Sequence, residues 1–146
     1  GGIRVLNREV IAATGVGESQ IEAAAAREQR ELERRAGAYR GERPPPTIAG
    51  RCVILIDDGL ATGATMRAAL AALRPQHPAA LVVAVPVAPP ETLARLRAEA
   101  DDVVCLEAPE AFYAIGAWYR DFGQLDDDQV RALLARAWTE RPEAQP

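Results

Sequence analysis

The sequence predicts an α/β protein built on a parallel sheet flanked by helices. Three observations carry that expectation. Short apolar runs rich in β-branched residues recur along the middle of the chain: "CVILI", "ALVVAVPVA" and "DDVVCLE". Segments of helical composition, "TMRAALAALR" and "PETLARLRAEA", separate them. A strand-helix-strand-helix-strand order calls for crossover connections, because parallel neighbours cannot be joined by a tight turn.

Element by element, "IRVLN" (Ile3 to Asn7) reads as a short strand, followed by a small helical piece ending near Gly15. Ser19 and Glu22 have the spacing of a capping box, in which a hydroxyl and a carboxylate satisfy free amides at a helix start. The helix after it, rich in Ala with Glu and Arg at i,i+4 spacings, should stop at Gly41 and carry a solvated charged face. Three prolines in "GERPPPTIAG" make an extended connector. "CVILI" has the continuous apolar character of a central parallel strand covered on both faces. The tail "DDDQVRALLARAW" reads as a helix capped at Asp126, with Gln129 completing a second capping box. Residues 1–146 are expected to form a single domain with a frayed end over 140–146, and no internal repeat is visible.

The bulk properties narrow the function. A chain of 146 residues can bury one sizeable core. Its net charge of −4 argues against nucleic acid as the main partner, since phosphate contact needs a basic surface. No apolar run approaches the ~20 residues of a membrane span, and no leader pattern is visible at "GGIRVLNREV". Cys52 and Cys105 lie in apolar runs without metal-ligand spacing, so two buried small hydrophobes in a reducing, cytoplasmic setting are expected. All 17 basic residues are Arg, so no mechanism can use a lysine of this chain.

The chemistry concentrates in "VILIDDGLATGATMRAAL", Val53 to Leu70. Ligands of open parallel sheets bind beyond the carboxyl ends of the strands, where Asp57 and Asp58 fall. Two adjacent carboxylates need something to divide their charge: a metal, a cation, or donors such as ribose hydroxyls. Ala61, Thr62, Gly63, Ala64 and Thr65 form a small-residue loop opening a helix, which can wrap amides around an anion. An acceptor pair beside a donor nest suits a sugar phosphate. Competing readings are weaker. A P-loop needs a lysine, a Walker B strand needs its phosphate loop, and a phosphatase-type nucleophile wants Asp-x-Asp. "GVG" at Gly15 to Gly17 follows no proper strand for a dinucleotide. The plainest alternative is an Asp pair and a Thr that only cap the turn.

"VILIDDGLATGAT" resembles the phosphoribosyl-pyrophosphate signature of the type I phosphoribosyltransferases: four apolar residues, an acidic pair, then a Thr-Gly-x-Thr loop. "DDGLATGATM" is similar to the adenine-type version, and the chain from "RVLN" to "LLARA" resembles a bacterial group of that family. The resemblance implies a Rossmann-like parallel sheet and transfer of ribose 5-phosphate from phosphoribosyl pyrophosphate to a nitrogenous base, with release of pyrophosphate. It implies that Asp57 and Asp58 act at the ribose hydroxyls and that Ala61 to Thr65 cradle the 5′-phosphate. Mg²⁺ would be bound through the donor's own oxygens, with no direct protein ligand. Hypoxanthine-guanine members carry an acid at the position of Ala61; this chain, like the adenine type, does not.

"APEAFYAIGAWYRDF" gathers five of the seven aromatics and is similar in position to the family's base-binding hood. That likeness makes Phe112 the candidate for stacking on a base, against plain edge packing, and Trp118 and Tyr119 are read as packing residues. Asp121 faces either the base or a turn, and His77, between prolines, is read as non-catalytic. The family's upstream pyrophosphate loop and lid match no segment here, so an N-terminally truncated domain with an intact ribose-phosphate half is expected. Small-molecule substrates are the expected partners, and fold relatives commonly form homodimers. A non-catalytic module that senses phosphoribosyl pyrophosphate or a nucleotide stays open beside the enzyme.

Overall fold

The computed structural model describes residues 8–139 of the chain. The expected strand Ile3 to Asn7 and the expected frayed end at 140–146 lie outside the described residues. The chain divides into two compact units, Gly1–Val16 with Pro46–Phe122, and Gly17–Pro45 with Gly123–Pro146.

The first unit holds the helix α1 (Arg8–Thr14), the strands β1 (Cys52–Ile56), β2 (Ala80–Val87) and β3 (Asp102–Glu107), and the helices α3 (Ala64–Leu73) and α4 (Pro90–Arg97). The three strands form one parallel sheet in the order β1-β2-β3. Leu55 faces Val83 in the register of β1 and β2, and Val83 faces Val103 in that of β2 and β3. Each return from strand to strand passes through a helix, as parallel pairing demands. Pro90 can open α4 because the first helical N–H has no internal partner to lose.

One face of the sheet makes the core. Leu81, Val83 and Val85 pack with Met66 and Leu70 of α3, Leu93 and Leu96 of α4, and Val103. At the sheet's opposite edge from the loops, the Asp101 carboxylate accepts the Leu81 N–H (2.7 Å) and an Arg74 N–H (2.8 Å). Those two donors, the amide first, hold its pKa below the ordinary aspartate value.

The expectation for β1 needs correction. It is an edge strand of the described sheet, and its alternate residues Ile54 and Ile56 are 57% and 78% exposed. Val104 and Leu106 share that exposure on β3. A continuous apolar run reports that a strand can be buried on both faces; it does not report that both are covered here. The central strand is β2, whose residues alternate between buried and half-buried. The two cysteines shift for the same reason: Cys52 is exposed, and Cys105 is half-buried with its thiol donating to the Glu107 carbonyl. Both thiols are free.

The second unit pairs α2 (Glu18–Arg40) with α5 (Asp127–Thr139). Helix α2 begins earlier than Ser19 and Glu22 led us to expect. Gly17 is the cap residue, and the Gln20 side chain accepts its N–H at 3.1 Å. Gln20 stands three residues after Gly17 and can make that return bond, so a start two residues upstream satisfies the same amides. The stop at Gly41 and the capping box at α5 are as expected: Asp126 and Gln129 exchange side-chain-to-backbone bonds of 2.9 and 2.8 Å. Helix α2 has no buried residue, and Glu31 holds Arg34 and Arg35 in exposed ion pairs. Arg34 also reaches Asp127 on α5, whose carboxylate accepts the Tyr39 hydroxyl as well. The Arg43 guanidinium lies 3.7 Å above the Trp138 ring, a cation–π contact inside the same unit.

Candidate functional site

The site grows out of the crossing from β1 to α3. Asp57 and Asp58 follow the last strand residue, Ile56, so they stand at the carboxyl edge of the sheet. Asp57 is half-buried and Asp58 exposed. The Asp57 carboxylate accepts the N–H of the next residue, Asp58, at 3.0 Å. Gly59 comes next because nothing larger fits. A Cβ there would lie 2.8 Å from Ile115 Cγ2 and 3.2 Å from the Val87 carbonyl oxygen.

Leu60 then turns inward, 3% exposed, and its N–H donates to the Val87 carbonyl at 3.0 Å. The Ala61 carbonyl accepts the hydroxyl of Thr92, a buried residue of α4, at 2.7 Å. Thr62 Oγ1 accepts the Ala64 N–H at 3.4 Å. Gly63 takes the left-handed conformation (φ 70°, ψ 8°) and serves as the cap residue of α3. Ala64 and Thr65 begin that helix, whose first-turn amides have no partner inside it.

These residues enclose an open pocket of about 220 Å³, lined by Asp57 through Thr65 without a gap and by Ile115. Sites for drug-sized ligands run to roughly 300–1,000 Å³, so this one suits a small polar molecule. Its lining combines two acidic residues, Asp57 and Asp58, with the residues that open α3, and a helix N-terminus favours an anion.

Every residue expected at the ribose and the phosphate, Asp57, Asp58, Ala61, Thr62, Gly63, Ala64 and Thr65, lies in this one pocket. Phe112 does not line it; it sits half-buried on the stretch following β3. His77 and Asp121 do not line it either. Sequence reasoning missed Gly59, Leu60 and Ile115 as lining residues, and Thr92 and Tyr119 as supports. The Tyr119 hydroxyl donates to the Asp58 carbonyl at 2.5 Å. A lone glycine directly after an acidic pair was a readable sign of close approach; no local pattern marks the other four.

Burial pushes the Asp57 carboxyl above its ordinary value, with the neighbouring Asp58 charge adding to the effect and the Asp58 amide opposing it. A carboxyl raised on folding is better accommodated protonated. The folded chain therefore carries a penalty above the raised pKa and loses it as the pH falls below the ordinary value of 3.8. Asp57→Asn should raise the thermal midpoint near neutral pH, and its advantage over wild type should shrink as the pH approaches about 3. Unfolding scans across that range check this, and an advantage independent of pH would trace the gain to something other than charge.

Among the described residues, no three His, Cys, Asp or Glu side chains converge as a metal-binding group. No described helix is long and apolar enough to cross a membrane.

Comparison with known proteins places the chain in a family. The family model described as "Phosphoribosyl transferase domain" matches residues 6–121. Two Mycobacterium tuberculosis proteins, from strains CDC 1551 / Oshkosh and ATCC 25618 / H37Rv, are each named "Putative phosphoribosyl transferase". Each is 41% identical over 143 residues, which is 98% of this chain and 32% of the relative. The chain thus spans about a third of the length of those curated relatives. The crystal structure of TT1426 from Thermus thermophilus is 45% identical, with a TM-score of 0.72, covering 90% of this chain and 62% of that one. The family match takes in the whole sheet, the acidic pair and the loop to Thr65, and on that ground the chain belongs to the phosphoribosyl transferase domain family.

Proposed function

We propose that this pocket holds the ribose 5-phosphate moiety of phosphoribosyl pyrophosphate, and that the protein transfers it to a nitrogenous base, a purine, with release of pyrophosphate. The observation that carries the reading is the shared pocket: the acidic pair and the 61–65 loop line one small cavity. A ribose 5-phosphate carries its diol on the ring and its phosphate on the adjoining exocyclic carbon, a few ångströms apart, and the pocket lining offers both acidic acceptors and a helix-opening loop of donors.

In this reading Asp57 and Asp58 accept hydrogen bonds from the ribose 2′- and 3′-hydroxyls. The Thr62 and Thr65 hydroxyls and the amides of residues 61–65 surround the 5′-phosphate. Departure of pyrophosphate leaves positive character at the ribose C1 and ring oxygen, as in glycoside cleavage. Two nearby carboxylates stabilise that charge without covalent attack, and the phosphate grip holds C1 in line for the base. Bound Mg²⁺ would neutralise the diphosphate leaving group, held mainly by the donor's own oxygens. The base would stack on Phe112, which shares its stretch with Ile115 of the pocket wall.

Calorimetric titration with phosphoribosyl pyrophosphate and with ribose 5-phosphate, with and without Mg²⁺, tests the proposal. Asp58→Asn and Thr65→Ala should each weaken donor binding by about 1–3 kcal/mol, as charge-assisted or neutral hydrogen bonds are lost. Unchanged affinity in both variants would remove the assignment. Binding without base-dependent pyrophosphate release would make the site a sensor of the donor instead.

A further inference from the structure

The chain between Ile56 and Gly63 belongs neither to the sheet nor to α3, so its peptide groups must find partners elsewhere. Three of them are held from distant elements. The Leu60 N–H goes to Val87 at the end of β2, and the Ala61 carbonyl accepts from Thr92 of α4. Both fix the part of the loop that leads into Thr62 and Gly63. The third is the Asp58 carbonyl, held at 2.5 Å by the hydroxyl of Tyr119, a residue 61 positions later.

The stretch that delivers Tyr119 is itself braced. It begins with a 3₁₀ turn, Ile115–Trp118. The Tyr119 and Phe122 rings lie 5.1 Å apart between centroids, tilted by 39°. Phe122 in turn covers Gly116 so closely that a Cβ there would sit 2.9 Å from its ring. Ile115 presses on Gly59 from the same stretch. The 115–122 segment therefore touches the Asp58–Gly59 junction twice, with a methyl on Gly59 and a hydroxyl on the carbonyl before it.

The geometry points to Tyr119 as a positioning residue: its hydroxyl sets the Asp58–Gly59 peptide plane and, through it, the direction of the acidic pair. This rests on the reading that the pair receives ribose hydroxyls. Asp58 is exposed, so water would satisfy its carbonyl if the tyrosine hydroxyl were removed. The bond is thus dispensable for folding and specific for orientation. A residue placed only for packing would need the ring and not the hydroxyl.

Tyr119→Phe keeps the ring and its contact with Phe122. Tyr113→Phe, at a tyrosine 92% exposed just before that segment, is the control. NMR titrations of the 146-residue chain with ribose 5-phosphate and with inorganic phosphate separate recognition of the sugar from recognition of the phosphate. Tyr119→Phe should weaken ribose 5-phosphate about 3- to 10-fold, the effect of one hydrogen bond, and leave inorganic phosphate unchanged. Tyr113→Phe should alter neither. An unchanged ribose 5-phosphate affinity, or equal weakening of both ligands, overturns the positioning role. Wild-type protein that binds inorganic phosphate as tightly as ribose 5-phosphate would instead overturn the ribose reading beneath it.

Discussion

Leu96→Ala should lower the unfolding free energy by about 2–5 kcal/mol, the range for a leucine removed from a well-packed core. Leu96 is fully buried on α4, among Leu81, Val83 and Leu93. Its Cδ1 lies 3.8 Å from where a Cβ on Gly63 would be, so it reaches from the core to the back of the loop. Helix α4 also carries Thr92, which anchors the Ala61 carbonyl, so the loss should reach the pocket as well. Against a total stability of roughly 5–15 kcal/mol, such a loss is a large share. Urea unfolding should show a lower midpoint with an unchanged slope, and a loss under about 1 kcal/mol would mean the site collapses around the cavity. Leu106→Ala is the informative contrast. Leu106 is 75% exposed on the sheet's other face, so its removal should change stability by no more than about 0.5 kcal/mol. A large effect there would show that something covers Ile56, Val104 and Leu106 in solution.

What the sequence disclosed about this site follows from chain connectivity. Asp57 to Thr65 are nine consecutive residues, so their spacing alone brings the acidic pair and the donor loop together once a strand precedes them and a helix follows. The α5 cap was readable for the same reason: Asp126 and Gln129 are three residues apart and complete each other's bonds. Local patterns fail where a second local solution exists, as at α2, where Gly17 with Gln20 competes with Ser19 and Glu22. They also fail where the partner is distant. Thr92, Ile115 and Tyr119 reach the loop only because β2 lies beside β1 and β3 beside β2 in a fixed register, and nothing in "ETLARL" or "AIGAWYR" announces that contact. The open face of β1 was hidden differently. Apolar residues on both sides of a strand say what could be covered, and the covering surface must be found elsewhere.

The second large effect is expected at Gly63. Gly63→Ala should destabilise the chain by about 1–3 kcal/mol, because an L side chain is strained in the left-handed region. Space adds to strain: a Cβ there would stand 2.9 Å from Thr92 Cγ2. The two contributions can be separated. Thr92→Ser deletes that methyl and keeps the hydroxyl that holds the Ala61 carbonyl. Alone, Thr92→Ser removes a buried methyl group and should destabilise by roughly 0.5–1.5 kcal/mol. In the Gly63→Ala background the same change relieves the contact, so the double variant should be more stable than the sum of the single changes, by at least about 0.5 kcal/mol. Strict additivity would mean that strain acts alone and that the loop yields without pressing on α4. Phosphate binding gives a second readout of the same cycle. If the new Cβ lifts the loop off α4, the 61–65 segment proposed to hold the phosphate is displaced, and Gly63→Ala should weaken inorganic phosphate about tenfold or more. Thr92→Ser should then recover part of that affinity together with the stability, since both depend on how closely Gly63 lies against Thr92. Recovery of stability without affinity would show that the left-handed geometry at Gly63, rather than its distance from α4, aims the loop at its ligand.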